Sequence, residues 1–303
     1  PRGAISMKNG KSVIDQEKCI KCGKCKAVCP YDAISHQVRP CLDHCGVNAI
    51  KSDDKGRAVI DPDLCVSCGQ CMVSCPFGAI ADKSQIFQLI RAMQSGRKII
   101  AQVAPAFVGQ FGSKVTPDMI KTALKELGFY DVYETAIGAD MGAMAEAENY
   151  VKEVATGELP FLLTSCCPSW SMLAKKFFPD LIDQISQELT PMVATARTIK
   201  QEHPNAKVVF IGPCTAKKAE VQKDEVKPYV DAALTFEELQ ALFDSRDIDI
   251  TTLSEGVLDN ASYFGRIFAR CGGLADAVAE GLKEHGFVAR ACFKLEVVES
   301  VFL

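Results

Sequence analysis

Two copies of one cysteine run constrain this chain more than any other feature. Cys19-x-x-Cys22-x-x-Cys25-x-x-x-Cys29-Pro30 recurs as Cys65-x-x-Cys68-x-x-Cys71-x-x-x-Cys75-Pro76. The short spacings set successive thiolates around one cube corner by corner. Gly23 and Gly69 permit the tight turns, and a proline ends each loop. Ten of the fifteen cysteines lie between Cys19 and Cys75, at spacings that suit metal clusters better than a disulfide framework. A zinc site of four cysteines explains the pattern less well, because zinc ribbons rarely repeat with a fourth Cys-Pro. The front of the chain is expected to fold around 4Fe–4S clusters, at least two of them.

The runs are of the bacterial ferredoxin kind, in which three cysteines hold one cubane and the fourth serves its neighbour. An internal repeat extends the pattern. Tails of the form x-x-Ala-Ile stand at residues 1–5, 30–34, 46–50 and 76–80. The first lacks its preceding cysteine, so the chain is expected to begin inside a cluster motif. The third is a degenerate copy that keeps only Cys41 and Cys45. Two ligand pairings follow. In one, Cys19, Cys22 and Cys25 take Cys75, while Cys65, Cys68 and Cys71 take Cys29. In the other, adjacent repeats pair and Cys45 completes the cluster of Cys65, Cys68 and Cys71. An α+β ferredoxin-like 4Fe–4S domain is expected over residues 1–82.

From residue 83 onward the pattern becomes that of an α/β domain. A helix over 84–93 precedes expected strands at 98–103, 132–137, 160–164, 207–212 and 229–235. Helices are expected at 117–127, 140–155, 168–178, 191–203, 236–244 and 273–285. Such alternation implies parallel sheets covered by helices, with ligands beyond the carboxyl ends of the strands. Two cysteine turns fall there: Thr164-Ser165-Cys166-Cys167-Pro168-Ser169-Trp170, and Gly212-Pro213-Cys214-Thr215-Ala216-Lys217-Lys218-Ala219-Glu220. Each would aim thiols at a helix N-terminus, where backbone N–H groups and the macrodipole favour anions. One metal site assembled from both turns is expected. At 303 residues and 48% hydrophobic the chain is globular and long enough for two domains. A net charge of −4 argues against nucleic-acid binding. No stretch reaches the ~18–20 apolar residues of a membrane span.

The two cysteine turns resemble the first two signature motifs of the iron-only (FeFe) hydrogenases, and the resemblance runs through nearly the whole chain. It implies a hydrogenase large-subunit-like α/β body with a cubane bridged to a di-iron subcluster carrying carbon monoxide and cyanide. Carried over by position, Cys167 and Cys214 are two cubane ligands, and Cys166 is the thiol that passes protons to the di-iron site. Lys217 would donate to an iron-bound cyanide. Ser186 and Glu220 match members of a proton relay. A further relay glutamate of the family aligns with Asn149, which cannot carry a proton; Glu146 or Glu148 could substitute. The family's Cys-x-Gly-Gly-Cys third motif is absent from these residues. The 303 residues alone are therefore expected to evolve little hydrogen. The resemblance favours the first cluster pairing, leaving Cys41 and Cys45 as remnants of a further cluster or as buried thiols.

Plainer readings compete at several positions. Cys271 and Cys292 can be inert small hydrophobes, and Lys217 with Glu220 can be an i,i+3 surface pair. Trp170 and the pair Met141 and Met144 read as packing. Of His36, His44, His203 and His285, only His44 stands near cysteines. The leading function is a cytoplasmic, anaerobic hydrogenase. It would exchange protons and H2 as substrates, draw electrons from a soluble carrier such as ferredoxin, and depend on maturation proteins. The alternative is a non-catalytic relative: a hydrogen sensor, an iron–sulfur assembly factor or an electron-transfer subunit.

Overall fold

A computed structural model describes residues 3–15, 17–20, 22–31, 33–34, 39–258, 260–284 and 286. His36, His285 and Cys292 lie outside these residues. Among the described residues, the front shows two antiparallel hairpins and three single-turn helices. Strand β1 (Ile5–Lys8) pairs with β2 (Lys11–Ile14), and β3 (Ile50–Ser52) with β4 (Ala58–Ile60). Helices α1 (Lys24–Ala27), α2 (Pro40–Asp43) and α3 (Gln70–Val73) carry Cys25, Cys41 and Cys71, and the other front cysteines lie in the loops around them. Helices α1 and α3 start at equivalent places in the two runs. Each follows a left-handed glycine, Gly23 at φ 71° and Gly69 at φ 82°. Around the second hairpin Cys41, Ala49, Ile50 and Val66 are buried, whereas the first hairpin is exposed along almost its whole length.

The body follows with α4 (Ile86–Gln94), β5 (Ile99–Val103), α5 (Pro117–Leu127), β6 (Asp131–Glu134), α6 (Ala136–Asn149) and α7 (Pro168–Phe177). After these come α8 (Pro191–Glu202), β7 (Lys207–Ile211), α9 (Thr215–Glu220), β8 (Ala232–Leu234), α10 (Phe236–Asp244), α11 (Tyr263–Arg266) and α12 (Gly273–Glu284). The strands form one sheet in the order β6-β5-β7-β8, parallel throughout. A parallel sheet is covered on both faces, so its strands read as continuous apolar runs. Strand β5 (Ile-Ile-Ala-Gln-Val) is buried at every position. Its one polar side chain, Gln102, donates to the Met192 carbonyl at 3.1 Å. Helix starts follow local chemistry: Thr116 caps α5 ahead of Pro117, and Thr235 forms a capping box with Glu238 on α10.

Several expected elements move. The strand expected at 132–137 begins at Asp131 and yields to helix at Ala136, and the one expected at 229–235 contracts to Ala232–Leu234. Helix α6 starts earlier than expected and loosens into a π-helical turn at Tyr150–Val154. The strand expected at 160–164 does not form. Only Leu163 makes an isolated parallel bridge, with Ile185. Pro160 has no N–H to give a ladder, and Phe161 is 43% exposed, so this run lacks both pairing and burial.

Front and body touch at the second cysteine run. Thr215 Oγ1 donates to the Ser67 carbonyl at 3.2 Å, and Lys176 Nζ to the carbonyls of Pro62 (3.0 Å) and Cys65 (2.7 Å). At the junction, buried Lys218 is ion-paired with both Asp82 and Glu238.

Candidate metal centre and proton site

Cys167 and Cys214 occupy the same position on two helices. Each is the N-cap residue in extended backbone, at φ −100° and ψ 113° ahead of α7 and φ −106° and ψ 115° ahead of α9. Helices α7 and α9 pack together, and Cys167 lies within electrostatic reach of Cys214. Burial pushes the Cys214 thiol up, against backbone N–H groups of Lys217 and Ala216 that favour its thiolate. The structure thus brings the two turns into one site although no strand precedes the first.

Cys166 stands beside Cys167 but in a different environment. Burial pushes its thiol up to about 11, despite the opposing pull of the Lys217 ammonium. Burial favours the neutral thiol at both Cys166 and Cys214. The Lys217 ammonium donates to the Cys166 carbonyl at 3.3 Å and meets Glu220 Oε2 at 2.6 Å. Lys217 and Glu220 are 8% and 4% exposed, so they are not a surface pair. Glu220 also accepts from Thr190 Oγ1 at 2.8 Å.

Ser186 belongs to a second polar group within electrostatic reach of Cys166. It is buried with Glu146, whose carboxyl is pushed up to about 7 by burial; a hydrogen bond from Ser186 opposes the shift, while Glu188 and Glu153 add to it. Glu146 Oε2 is buried without a hydrogen-bond partner. Glu148 instead points to solvent and pairs with Lys152 at 3.2 Å. Of the two glutamates offered by the sequence, Glu146 faces the site. Asn149 Nδ2 donates to Glu188 Oε1 at 2.8 Å. Sequence reasoning missed Glu188. It sits far along the chain, in a loop returned to this place by the Leu163–Ile185 bridge, and no motif marks it.

In the front, the described cysteines are all free thiols. The Ala-Ile tails acquire a physical reason: Ala33, Ala49 and Ala79 each donate their N–H to the sulfur four residues back, Cys29 (3.4 Å), Cys45 (3.2 Å) and Cys75 (3.3 Å). The backbone N–H groups around Cys75 hold its thiol below the usual range. Cys45 thus shares the backbone cradle of the two fourth-position cysteines. Burial raises the Cys71 thiol, and Cys68, Cys65 and Cys45 all add to the shift, so these four sulfurs are neighbours. Cys22 is exposed and Cys19 and Cys25 are half-buried, as are Cys68, Cys65 and Cys71 in turn, and Cys41 is buried. His44 Nδ1 is 2.9 Å from the Pro40 carbonyl and is exposed. Cys271 is exposed before α12, and Trp170 donates to the Thr164 carbonyl at 3.1 Å. Among the described residues no three His, Cys, Asp or Glu side chains converge on a single-ion position.

The family model described as iron only hydrogenase large subunit, C-terminal domain, matches residues 97–296. Two models of 4Fe-4S dicluster domains match residues 18–79 and 57–109. The chain is 32% identical over 298 residues to iron hydrogenase 1 of Clostridium pasteurianum, covering 89% of this chain and 51% of that protein. It is 31% identical over 290 residues to the periplasmic Fe hydrogenase large subunit of Nitratidesulfovibrio vulgaris, covering 87% and 66%. A shorter match joins it to the cytosolic Fe-S cluster assembly factor NAR1 of Meyerozyma guilliermondii, 27% identical over 139 residues, 42% of this chain and 26% of that one. Among solved structures, a variant FeFe-hydrogenase of Chlamydomonas reinhardtii superposes with TM-score 0.56 at 26% identity, over 66% of this chain and 57% of that chain. The chain spans about half to two-thirds of the length of these hydrogenases. No helix among the described residues is long and apolar enough to cross a membrane. By sequence over most of its length, and by fold, the chain belongs to the iron-only hydrogenase large-subunit family.

Proposed function

We propose that this chain is the electron-fed body of a hydrogenase that interconverts protons, electrons and H2. The observation that carries the reading is the convergence of buried Lys217 and Cys166 on the two N-cap thiols of Cys167 and Cys214. The residues fit the group the family implies: two thiols side by side, a buried ammonium, and a protonated thiol between them and a buried acid. When bound, a cubane-linked di-iron centre with carbon monoxide and cyanide ligands supplies the metal at which H2 is made or split. Cys167 and Cys214 would give two of the cubane's thiolates. Lys217, held by Glu220, offers positive charge and a donor for cyanide. Cys166 holds a proton at its Sγ, and Glu146 is the acid–base group behind it.

In the front we propose 4Fe–4S clusters on Cys19, Cys22 and Cys25 and on Cys65, Cys68 and Cys71, within a domain ending near residue 82. Cys29 and Cys75 serve as further ligands. The placement of Cys45 beside Cys71, with its N–H···S cradle, supports the adjacent-repeat pairing over the one the resemblance favours. Cys41 then remains a buried thiol. Electrons would enter from a soluble carrier at the outer run and pass inward through the second.

The similarity to an assembly factor supports a second reading, a non-catalytic iron–sulfur protein. Cys166 and Lys217 separate the two, because an assembly factor has no use for a proton donor or a cyanide partner. In the matured full-length protein, Cys166→Ser is expected to cut turnover at least tenfold, since a hydroxyl is a far weaker acid than a thiol, with iron content intact. Cys167→Ser is expected to lose body iron. Equal iron loss in both variants would make Cys166 a ligand and remove its proton role.

A further inference from the structure

Glu146 is buried, and its proton needs a way out. Asn149, one turn further on the same face of α6, is an amide and has no proton to exchange at working pH. The structure puts a carboxylate beside that amide. We propose that Glu188 carries protons between solvent and Glu146, with Asn149 as the positioning residue that holds it there; this rests on the hydrogenase reading.

Three hydrogen bonds fix Glu188. Asn149 Nδ2 donates to its Oε1 at 2.8 Å, its own N–H donates to Ser186 Oγ at 3.1 Å, and Ser165 Oγ donates to its carbonyl at 3.3 Å. Two of these partners adjoin the site, Ser165 being next to Cys166 and Ser186 beside Glu146. Glu188 is half-buried where Glu146 is 5% exposed, so it stands between the buried acid and water. Glu146 Oε2 is unpartnered and free to receive a proton. In the inward step an O–H bond breaks on the Glu188 carboxyl, an intervening water takes that proton and gives up another, and an O–H bond forms on the Glu146 carboxylate. Glu188 then regains its proton from water, and H2 oxidation runs the same path outward. The titratable groups facing Glu146 are Glu188, Glu153 on the π-helical turn, and Cys166. The negative charges of Glu188 and Glu153 favour keeping the proton on Glu146, the buried member of the line.

The test has one arm that needs no di-iron centre. Infrared titration of the chain should show a protonated carboxyl band, absent in Glu146→Gln, that vanishes as pH rises through about 7. Glu188→Gln removes a like charge, so the midpoint should move to lower pH. In the second arm, with matured full-length protein, Glu188→Gln should slow turnover at least tenfold with iron content unchanged. Glu188→Asp should retain part of the rate, imidazole buffer should restore much of it in the Gln variant, and Glu153→Gln should run near the wild-type rate. An active wild type whose Glu188→Gln variant keeps both midpoint and turnover overturns the relay alone, as does iron loss in that variant. A wild type without turnover overturns the hydrogenase reading itself.

Discussion

The two cysteine runs share every ligand spacing and differ in charge and in their contacts with the body. The first, Cys19 to Cys29, carries Lys21, Lys24 and Lys26 between or beside its thiols, and leaves Ile20 58% exposed at the position that Val66 fills in the second run. The second, Cys65 to Cys75, has no charged residue between its cysteines, buries Val66, and is tied to the body through Thr215 and Lys176. Residues 1–34 hold seven Lys and Arg against three Asp and Glu, in a chain whose net charge is −4. Ligand spacing specifies a cluster; the neighbours specify its place. On the proposed function, the basic run would meet the electron carrier and the uncharged, docked run would hand electrons on.

Ligand removal is the hardest test of this contrast. Cys65→Ala or Cys71→Ala should each cost about four irons per chain, because a methyl group cannot replace a thiolate. Iron and sulfide analysis of the anaerobically reconstituted chain reads this directly. Cys45→Ala should damage the same cluster as Cys71→Ala, and Cys29→Ala should not. If Cys29→Ala strips the second-run cluster while Cys45→Ala leaves it whole, the pairing favoured by the family resemblance is restored.

A pair of glycines gives the next largest difference. Both Gly23 and Gly69 lie in the left-handed region, where a Cβ costs about 1 kcal/mol. Around Gly23 a Cβ meets nothing within 4 Å; at Gly69 it would stand 2.8 Å from Thr215 Oγ1. Gly69→Ala should therefore destabilise by about 2 kcal/mol or more, against about 1 kcal/mol for Gly23→Ala. In urea unfolding Thr215→Ala should abolish the excess, as a double-mutant cycle for a contacting pair requires. Equal costs in the two runs would mean that the second is not docked.

Much of this was legible in the sequence, for identifiable reasons. The helices expected at 117–127 and 236–244 form over those same residues as α5 and α10. Strict cysteine spacing marked both cluster loops, and an apolar run before Gly-Pro-Cys marked β7. What could not be read was tertiary. Leu159 to Leu163 is apolar enough for a strand, but pairing is a property of two segments, and Pro160 with exposed Phe161 prevents it. Burial of Lys217, the approach of Cys45 to Cys71 and the pairing of Asn149 with Glu188 all join residues whose distance in the chain hides their contact.

Lys176 offers a smaller, independent probe of the docked run. Its ammonium holds two carbonyls of the loop, but the side chain is exposed, so solvent screens the interaction. Lys176→Gln should cost about 1 kcal/mol at most. Faster hydrogen exchange should appear at residues 62–69 and not in the first run. Exchange that quickens equally in both runs would show that the front responds as one unit, and the contrast would lose its structural basis.

The smallest effect concerns electron entry, and it decides whether the open run faces the partner. Two lysines on α1, Lys24 and Lys26, lie beside Cys25 and are exposed. A carrier protein of negative charge would be steered toward them, and steering acts on the association rate more than on the bound complex. Replacing both with Gln should slow reduction by an acidic ferredoxin about threefold at low ionic strength. The Debye length shrinks to about 8 Å at 0.15 M salt and 3 Å at 1 M, so wild type and variant should converge as salt is added. A small uncharged reductant should reduce both at the same rate throughout. Lys176→Gln serves as the control for place, since it removes one positive charge beside the second run where the change on α1 removes two. If that substitution slows the ferredoxin as much as the double change on α1, electrons enter at the second run and the assignment of outer and inner is reversed.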